Sequence, residues 1–163
     1  MADLSVKLER KSRMLEIQEG LESIAKKQAR TGWFQSAKYP DGTPVSLVAV
    51  ANEYGHGSTP PRSFVRPTIE QQRNTWINLL KQGAQAVANG EKTIEQVLEL
   101  VGLKAAGDIA KTISAIQSPP LKESTIKARE RRYAKKGKRG NLAKPLVDSA
   151  LMINSITAVV EDR

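Results

Sequence analysis

The chain has 163 residues, a formal net charge of +9, no cysteine and a single histidine, and its length predicts one domain spanning residues 1–163. The lack of cysteine excludes a disulfide scaffold, a thiol nucleophile and thiolate metal sites. The single histidine excludes a metal site that is built on two histidines. Because the sequence shows neither the apolar core of a signal peptide nor an apolar run of about 18 residues, we expect a soluble protein made in a reducing compartment.

Three elements are predicted in the first quarter of the chain. Apolar residues recur with helical spacing and predict a helix over residues 3–30, which Gly32 would end. Residues 32–39 mix aromatic and polar side chains, a composition that predicts a strand. The Pro-Asp-Gly sequence within residues 39–43 then predicts a turn.

Residues 45–54 are compatible with two elements. Their apolar run alone would suit a buried strand. However, Thr43 can cap a helix, Pro44 fits the first helical position and Gly55 fits the C-terminal stop. We therefore favour a short helix over a strand at this place.

Two long helices are predicted after a loop at residues 55–67. The tetrapeptide Thr-Ile-Glu-Gln, a capping-box signature that opens a helix, begins at Thr68 and again at Thr93. Apolar residues then recur on one stripe until an Asn-Gly pair in the first case and a pair of prolines in the second. With a short connection between them, residues 68–88 and 93–117 should pack as an antiparallel helical hairpin.

The order of the elements predicts the fold class. Residues 155–163 are rich in β-branched residues that alternate with polar ones, and they predict a strand at the end of the chain. Helix, strand, helices and strand in this order predict an α+β fold, with a small antiparallel sheet packed against several helices.

No residue pattern in the chain predicts catalysis. Glu53 and His56 lie three residues apart, but one histidine and one carboxylate fall short of a zinc site, and a loop histidine beside a helix end is the simpler interpretation. Asp41 lies in a predicted turn, so a serine triad has no support. The Gly-His-Gly sequence at 55–57 lacks the Lys-Ser/Thr of a phosphate-binding loop. We predict a protein that is not an enzyme and has no catalytic, metal-binding or cofactor-binding residue.

The positive charge is concentrated in one segment. Residues 122–144 contain ten Lys or Arg and two Glu, and so carry +8 of the chain's +9. Because the segment contains glycines and few large apolar residues, we predict a mobile basic loop or arm. Such a segment can contact nucleic-acid phosphates, dock on an acidic protein surface or simply be solvated. Tyr133 is its only aromatic residue, which argues against sequence-specific reading of bases.

Two blocks of sequence resemble a known protein family. Residues 39–71 contain Asn-Glu-Tyr-Gly at 52–55 and Pro-Pro-Arg-Ser-Phe-Val-Arg-Pro at 60–67. The block 119–160 contains two further elements, carried by Leu121, Thr125, Ile126 and Lys127 and by Lys144, Pro145, Leu146, Val147, Asp148, Leu151, Ser155 and Ile156. In order and spacing these elements resemble the head–tail joining and tail-completion proteins of tailed bacteriophages. The sequence departs from the family pattern at Ser63, where proline is usual, and at Ser149-Ala150, where Thr-Gly is usual.

The resemblance implies a structural virion protein. Members of this family form a ring in the phage neck, between the head connector and the tail, and the genome passes through it. It implies a homo-oligomer of six-fold or twelve-fold symmetry, assembled in the host cytoplasm, with neighbouring neck, connector and tail proteins as partners and no membrane contact. The alternative is a stand-alone, non-specific nucleic-acid-binding protein that uses residues 122–144.

Two groups of residues are the candidate contacts of such a ring. We expect the loop 55–67 and the preceding helix end to contact a neighbouring subunit or partner through Glu53, Tyr54, Pro61, Arg62, Phe64, Val65 and Arg66. An aromatic residue between arginines is typical of an interface anchor, although Phe64 could instead pack beneath its own loop. The basic segment would face DNA or an acidic partner through Lys127, Arg129, Arg131, Arg132, Lys135, Lys136, Lys138 and Arg139.

Overall fold

The computed structural model of the protein describes residues 11–15, 17–20, 22, 25–135, 137 and 142–163. The described residues between 11 and 26 are helical. The elements that follow are β1 (Lys27–Gly32), α1 (Val45–Tyr54), α2 (Val65–Ala88), α3 (Ile94–Ala115), α4 (Glu123–Lys135), α5 (Leu151–Asn154) and β2 (Thr157–Asp162). The α+β fold class with a small antiparallel sheet is confirmed.

The chain divides into two compact units. The first consists of residues 1–31, 73–105 and 158–163, and the second of residues 32–72 and 106–157. Whether they form the single domain predicted from the length stays a prediction. No helix in the described part of the chain is both long and apolar enough to cross a membrane.

The first unit contains the sheet and the turn of the helical hairpin. Strands β1 and β2 pair with each other, and Glu161 accepts hydrogen bonds from the side chains of Gln28 (3.0 Å) and Arg30 (3.1 Å). The sheet lies against α3 at Gly102, where an added Cβ would lie 2.6 Å from the Cβ of Ala158. Only glycine therefore allows α3 to approach the sheet this closely.

The second unit contains the larger hydrophobic core. This core is built from α1, the start of α2, the end of α3 and α5, with the buried side chains of Val45, Ala49, Phe64, Ile109, Ile113 and Met152. Trp33 packs edge-on against Phe64, with ring centroids 5.7 Å apart. Its indole Nε1 donates to the carbonyl of Met152 at 2.7 Å, so the polar end of this partly buried ring is satisfied.

The helical hairpin is present, with one of its two predicted caps. At the start of α3 the backbone N–H of Thr93 donates to the side chain of Gln96, and the N–H of Gln96 donates to Oγ1 of Thr93, as in a capping box. At Thr68 the prediction is wrong, because α2 already begins at Val65. Thr68 is buried inside the helix, and its Oγ1 donates to the carbonyl of Phe64 and lies 2.6 Å from Oγ1 of Thr112 on α3.

Three further predictions are corrected by the structure. Residues 27–30, predicted as helix, form a strand because they pair with β2, a partner that local periodicity does not reveal. Residues 33–39, predicted as strand, contribute Trp33 to the core instead, and Lys38 makes only an isolated bridge to Pro44. Residues 123–135 of the predicted basic loop form α4. Residues 3–10, 16, 21, 23 and 24 of the predicted first helix lie outside the described residues.

The remaining predictions of elements hold. The helix favoured over a strand at residues 45–54 is α1, and its N-cap is Pro44 rather than Thr43. It ends at Gly55, whose positive φ of 80° is readily adopted by glycine. The strand predicted over residues 155–163 is β2.

We expect Gly83→Ala to destabilise the hairpin. A Cβ at Gly83 would lie 2.1 Å from Cγ1 of Val97, whose side chain is buried, so the two helices would have to move apart. The free energy of unfolding should fall by about 1–3 kcal/mol, which urea denaturation measures. Gly107→Ala is the matched control, because nothing lies within 4 Å of its added Cβ. It should raise stability by about 0.5–1 kcal/mol through helix propensity. Equal destabilisation by both would contradict the close helix contact.

Candidate interaction surface

Helix α1 is apolar on the side that faces away from the core. Leu47, Val50 and Tyr54 follow one another at spacings of three and four residues and share one face of the helix. Their exposed fractions are 60%, 55% and 64%, whereas Val45 and Ala49 on the opposite side are buried. We call Leu47, Val50 and Tyr54 the α1 face. An apolar groove of about 350 Å³ runs along it and ends near Gly55 and His56.

A buried carboxylate ties the end of α1 to the start of α2. The side chain of Glu53 accepts hydrogen bonds from the backbone N–H groups of Phe64 (2.7 Å), Val65 (2.9 Å) and Arg66 (3.2 Å). It also accepts from Oγ of Ser63 at 2.6 Å and from Nε of Arg66 at 3.1 Å. The first N–H groups of a helix have no partner within the helix, and a carboxylate placed there also interacts favourably with the helix dipole. Glu53 therefore caps α2 from a distance.

The hydrogen bonds to Glu53 control its ionisation. Burial is the largest single influence and by itself raises the pKa of a carboxyl group. The hydrogen bonds from Ser63 and from the backbone of Phe64, Val65 and Arg66 together outweigh it, and they lower the pKa of Glu53 from 4.5 to about 2. The carboxylate is thus charged in the folded protein at neutral pH and is fully engaged by these donors.

The loop residues predicted as interface contacts separate into two groups. Phe64 is completely buried and Arg62 is 5% exposed, so the structure corrects the expectation that they are surface contacts. Arg62 instead donates from Nε to the carbonyl of Pro119 (2.7 Å) and from Nη2 to that of Pro120 (2.9 Å). Of the two possibilities for Phe64, packing beneath its own loop is the one observed. Glu53 is likewise engaged internally.

The second group lies at the surface beside the α1 face. Tyr54, Pro61 and Arg66 are exposed and Val65 is half-buried. The guanidinium of Arg66 lies over the ring of Tyr54, with its Cζ 4.9 Å from the ring centroid, and the two side chains form a cation–π contact. The exposed interface candidates therefore extend the α1 face with a cationic edge.

The basic residues also separate into inward and outward groups. Arg129 is 7% exposed and donates from Nη1 to the carbonyls of Leu142 and Lys144. Arg132 donates to Oδ2 of Asp148 at 2.7 Å. Because Arg129 is buried and makes internal contacts, the structure corrects the expectation that it lies on an exposed basic surface. Lys136, Lys138 and Arg139 lie outside the described residues.

The outward basic side chains form a ridge on α4. Lys127, Arg131 and Lys135 are exposed, and their spacing of four residues aligns them along one side of the helix. Lys127 also pairs with Glu123, one turn earlier, at 2.8 Å. We call Lys127, Arg131 and Lys135 the α4 ridge.

Sequence reasoning missed the outward exposure of the α1 face. The signal was present, since residues 45–54 contain apolar residues on both sides of the helix, and one helix on a small domain buries only one side. The candidate pair of Glu53 and His56 is not brought together as a site. His56 belongs to a tight turn with Thr59, and the Glu53 carboxylate holds α2.

Comparison with known proteins adds no relative. No family model, no curated protein and no solved structure matches this chain.

We expect Glu53→Gln to lower the stability of the protein at neutral pH and to make that stability less dependent on pH. Because the folded-state pKa is depressed, the stabilisation by the carboxylate is full above about pH 4.5 and is lost as the pH falls toward 2. Loss of the charged acceptor should lower the free energy of unfolding by up to about 3 kcal/mol at pH 7 and by progressively less at lower pH. Urea denaturation between pH 2 and pH 7 measures both effects. The control is Glu70→Gln, an exposed position on α2. A pH-independent loss in Glu53→Gln would contradict the capping role.

Proposed function

We propose that the chain is a structural subunit of the neck of a tailed bacteriophage, and that copies of it assemble into a ring that joins the head connector to the tail. The resemblance of residues 39–71 and 119–160 to head–tail joining and tail-completion proteins motivates the proposal. The observation that carries it is the α1 face, an exposed apolar surface within the first of those two blocks. The ring belongs to the virion and forms in the host cytoplasm, with neighbouring connector and tail proteins as its other partners.

A ring requires two different contact surfaces on each subunit. Subunits in a ring meet head to tail, so one patch contacts a different patch on the next copy. The α1 face in the second unit supplies one such patch. On α3, in the first unit, Leu100 and Leu103 are 51% and 49% exposed and lie beside the exposed carboxylate of Glu99. We call Glu99, Leu100 and Leu103 the α3 patch.

The two patches are chemically complementary. Each contains large apolar side chains, and removing such surface from water favours association by about 25 cal/mol per Å². The α1 face is edged by the cation of Arg66, whose side chain is 59% exposed, whereas the α3 patch is edged by an anion. Opposite charges at the rim favour the correct orientation of two copies. We therefore propose that the α1 face of one subunit contacts the α3 patch of the next.

The α4 ridge is the surface proposed to face the genome. Its three cations are spaced about 6 Å apart along the helix, which suits contacts with phosphates of a nucleic acid. Such contacts are independent of base sequence, as passage of a genome through a ring requires. The same ridge supports the alternative function, a nucleic-acid-binding protein that acts without assembling.

We expect Val50→Asp and Leu103→Asp each to reduce assembly. A charge placed at the centre of an apolar contact would be buried without a partner, and this should shift the protein from the ring toward the 17.9 kDa monomer. Light scattering of the purified protein measures the mass, and the folded state is checked by circular dichroism. Asn74→Asp adds the same charge to an exposed position of α2 and should leave the mass unchanged. A wild-type chain that stays monomeric at assembly concentrations would refute the ring proposal.

The absence of cysteine in the natural chain allows a direct test of which patches meet. Val50→Cys and Leu103→Cys introduce single thiols, and a short bis-maleimide then links only thiols that lie close together. Head-to-tail contact predicts cross-linked dimers in a mixture of the two variants and none with either variant alone. A ring that forms without this cross-link would refute the pairing of the patches while leaving the ring proposal intact.

We expect neutralisation of the α4 ridge to weaken DNA binding and its salt dependence. The triple change Lys127→Gln, Arg131→Gln and Lys135→Gln should lower the slope of log affinity against log salt by about 2 to 3. The control variant replaces with Gln three exposed lysines that lie outside the α4 ridge, namely Lys81, Lys92 and Lys111. Binding of duplex DNA at two or more salt concentrations measures the slope. Tight, steeply salt-dependent binding by a chain that stays monomeric would favour the alternative function over the ring.

A further inference from the structure

A cavity of about 290 Å³ in the second unit has charged side chains in its wall. Arg62 and Arg129 line it together with the carboxylates of Asp41 and Asp148 and the hydroxyl-bearing ring of Tyr39. Val48 and Asn52 of α1 also line it, but Leu47, Val50 and Tyr54 of the α1 face do not. None of the contacts proposed above accounts for it.

Both arginines are buried, and each has N–H donors that make no hydrogen bond within the described residues. Arg62 and Arg129 are 5% and 7% exposed, and their hydrogen bonds go to backbone carbonyls of residues 119, 120, 142 and 144. Within the described residues, Nη1 of Arg62 and Nη2 of Arg129 make no hydrogen bond. Every fully buried side-chain nitrogen in that part of the chain has a hydrogen-bond partner. These two nitrogens have none, so they are not fully buried and border open space. The space that both side chains line is the cavity.

The two arginines are compensated to different degrees, since Arg62 makes no ion pair within the described residues whereas Arg129 has a carboxylate nearby. Asp148 lies 3.8 Å from Nε of Arg129, but its Oδ2 is already hydrogen-bonded to Arg132 at 2.7 Å. Asp41 is exposed at the rim and accepts the backbone N–H of Thr43. Burial, and secondarily the charge of Arg129, lower the pKa of Arg62. A buried cation without a close carboxylate is costly, and an anionic ligand would relieve that cost.

We propose that this cavity binds a carboxylate group, with Arg62 and Arg129 as its ligands. Guanidinium groups bind planar carboxylates through paired N–H donors, and each arginine here has unused donors on the cavity side. A monoanion fits better than a phosphate dianion, because Asp41 and Asp148 in the wall repel two negative charges more strongly than one. The cavity has room for a small acid or for the side chain of an Asp or Glu of a partner protein.

Tyr39 supplies a further donor to the same group. Its hydroxyl makes no hydrogen bond within the described residues. Burial, followed by the charges of Asp148 and Asp41, raises the pKa of Tyr39. The phenol therefore stays protonated at neutral pH and can donate a hydrogen bond to the bound carboxylate.

Thermal unfolding of the whole chain in the presence of acetate tests the site. A ligand that binds only the folded state stabilises it in a saturable way. With a dissociation constant near 10 mM, 100 mM acetate should raise the unfolding temperature by about 3–5 °C above the value in sodium chloride of equal ionic strength. In Arg62→Lys the affinity should fall about tenfold. The replacement Arg73→Lys, at an exposed position of α2, is the control and should leave the response unchanged.

A second probe and a second variant make the outcome decisive. N-acetylglutamate N-methylamide presents the same carboxylate on a blocked residue. Saturable stabilisation by both probes identifies a site that is open to a protein side chain. Saturable stabilisation by acetate alone identifies a site for a small acid. Either result supports the proposal. If Arg62→Lys does not fold, Tyr39→Phe should still weaken acetate binding several-fold. The proposal is overturned if neither probe stabilises the protein more than chloride does. It is also overturned if acetate stabilises Arg73→Lys and the folded cavity variant, Arg62→Lys or Tyr39→Phe, equally.

Discussion

The carboxylate of Glu53 is the interaction on which the arrangement of the second unit depends. It joins the last turn of α1 to three consecutive N–H groups at the start of α2, across a loop that contains neither helix nor strand. Because α2 begins at Val65, Phe64 is placed directly before the helix and its ring enters the core against Trp33. The same contact holds α1 with its inner side on that core, so the α1 face points outward as a direct geometrical consequence.

Arginine has two distinct roles in this protein. Arg62 and Arg129 stabilise the fold internally, since each donates hydrogen bonds to backbone carbonyl groups of another segment of the chain. Arg66 and Arg131 instead lie at the surface, on the edge of the α1 face and on the α4 ridge. The large net charge therefore overstates the charge displayed at the surface. Apart from the cavity that Arg62 and Arg129 line, the exposed arginines and lysines are the ones that a partner can contact.

Local patterns predicted those parts of the structure whose partners are close in sequence. The cap at Thr93 and the stop at Gly55 depend on residues within one helical turn, and both are present. The start of α2 could not be predicted from its capping box, because Glu53 supplies a stronger acceptor from outside the helix. For the candidate site, the exposure of Tyr54 and the burial of Phe64 depend on tertiary packing, which composition and spacing do not encode.

The pairing of β1 with β2 also has a consequence for the order in which the chain can fold during synthesis. Gln28 and its side-chain partner Glu161 are 133 residues apart, so β1 leaves the ribosome long before its only described partner strand exists. The helical hairpin can form in the interval from local contacts alone. Throughout that time β1 lacks its described partner, and an unpaired strand edge can pair wrongly with other chains.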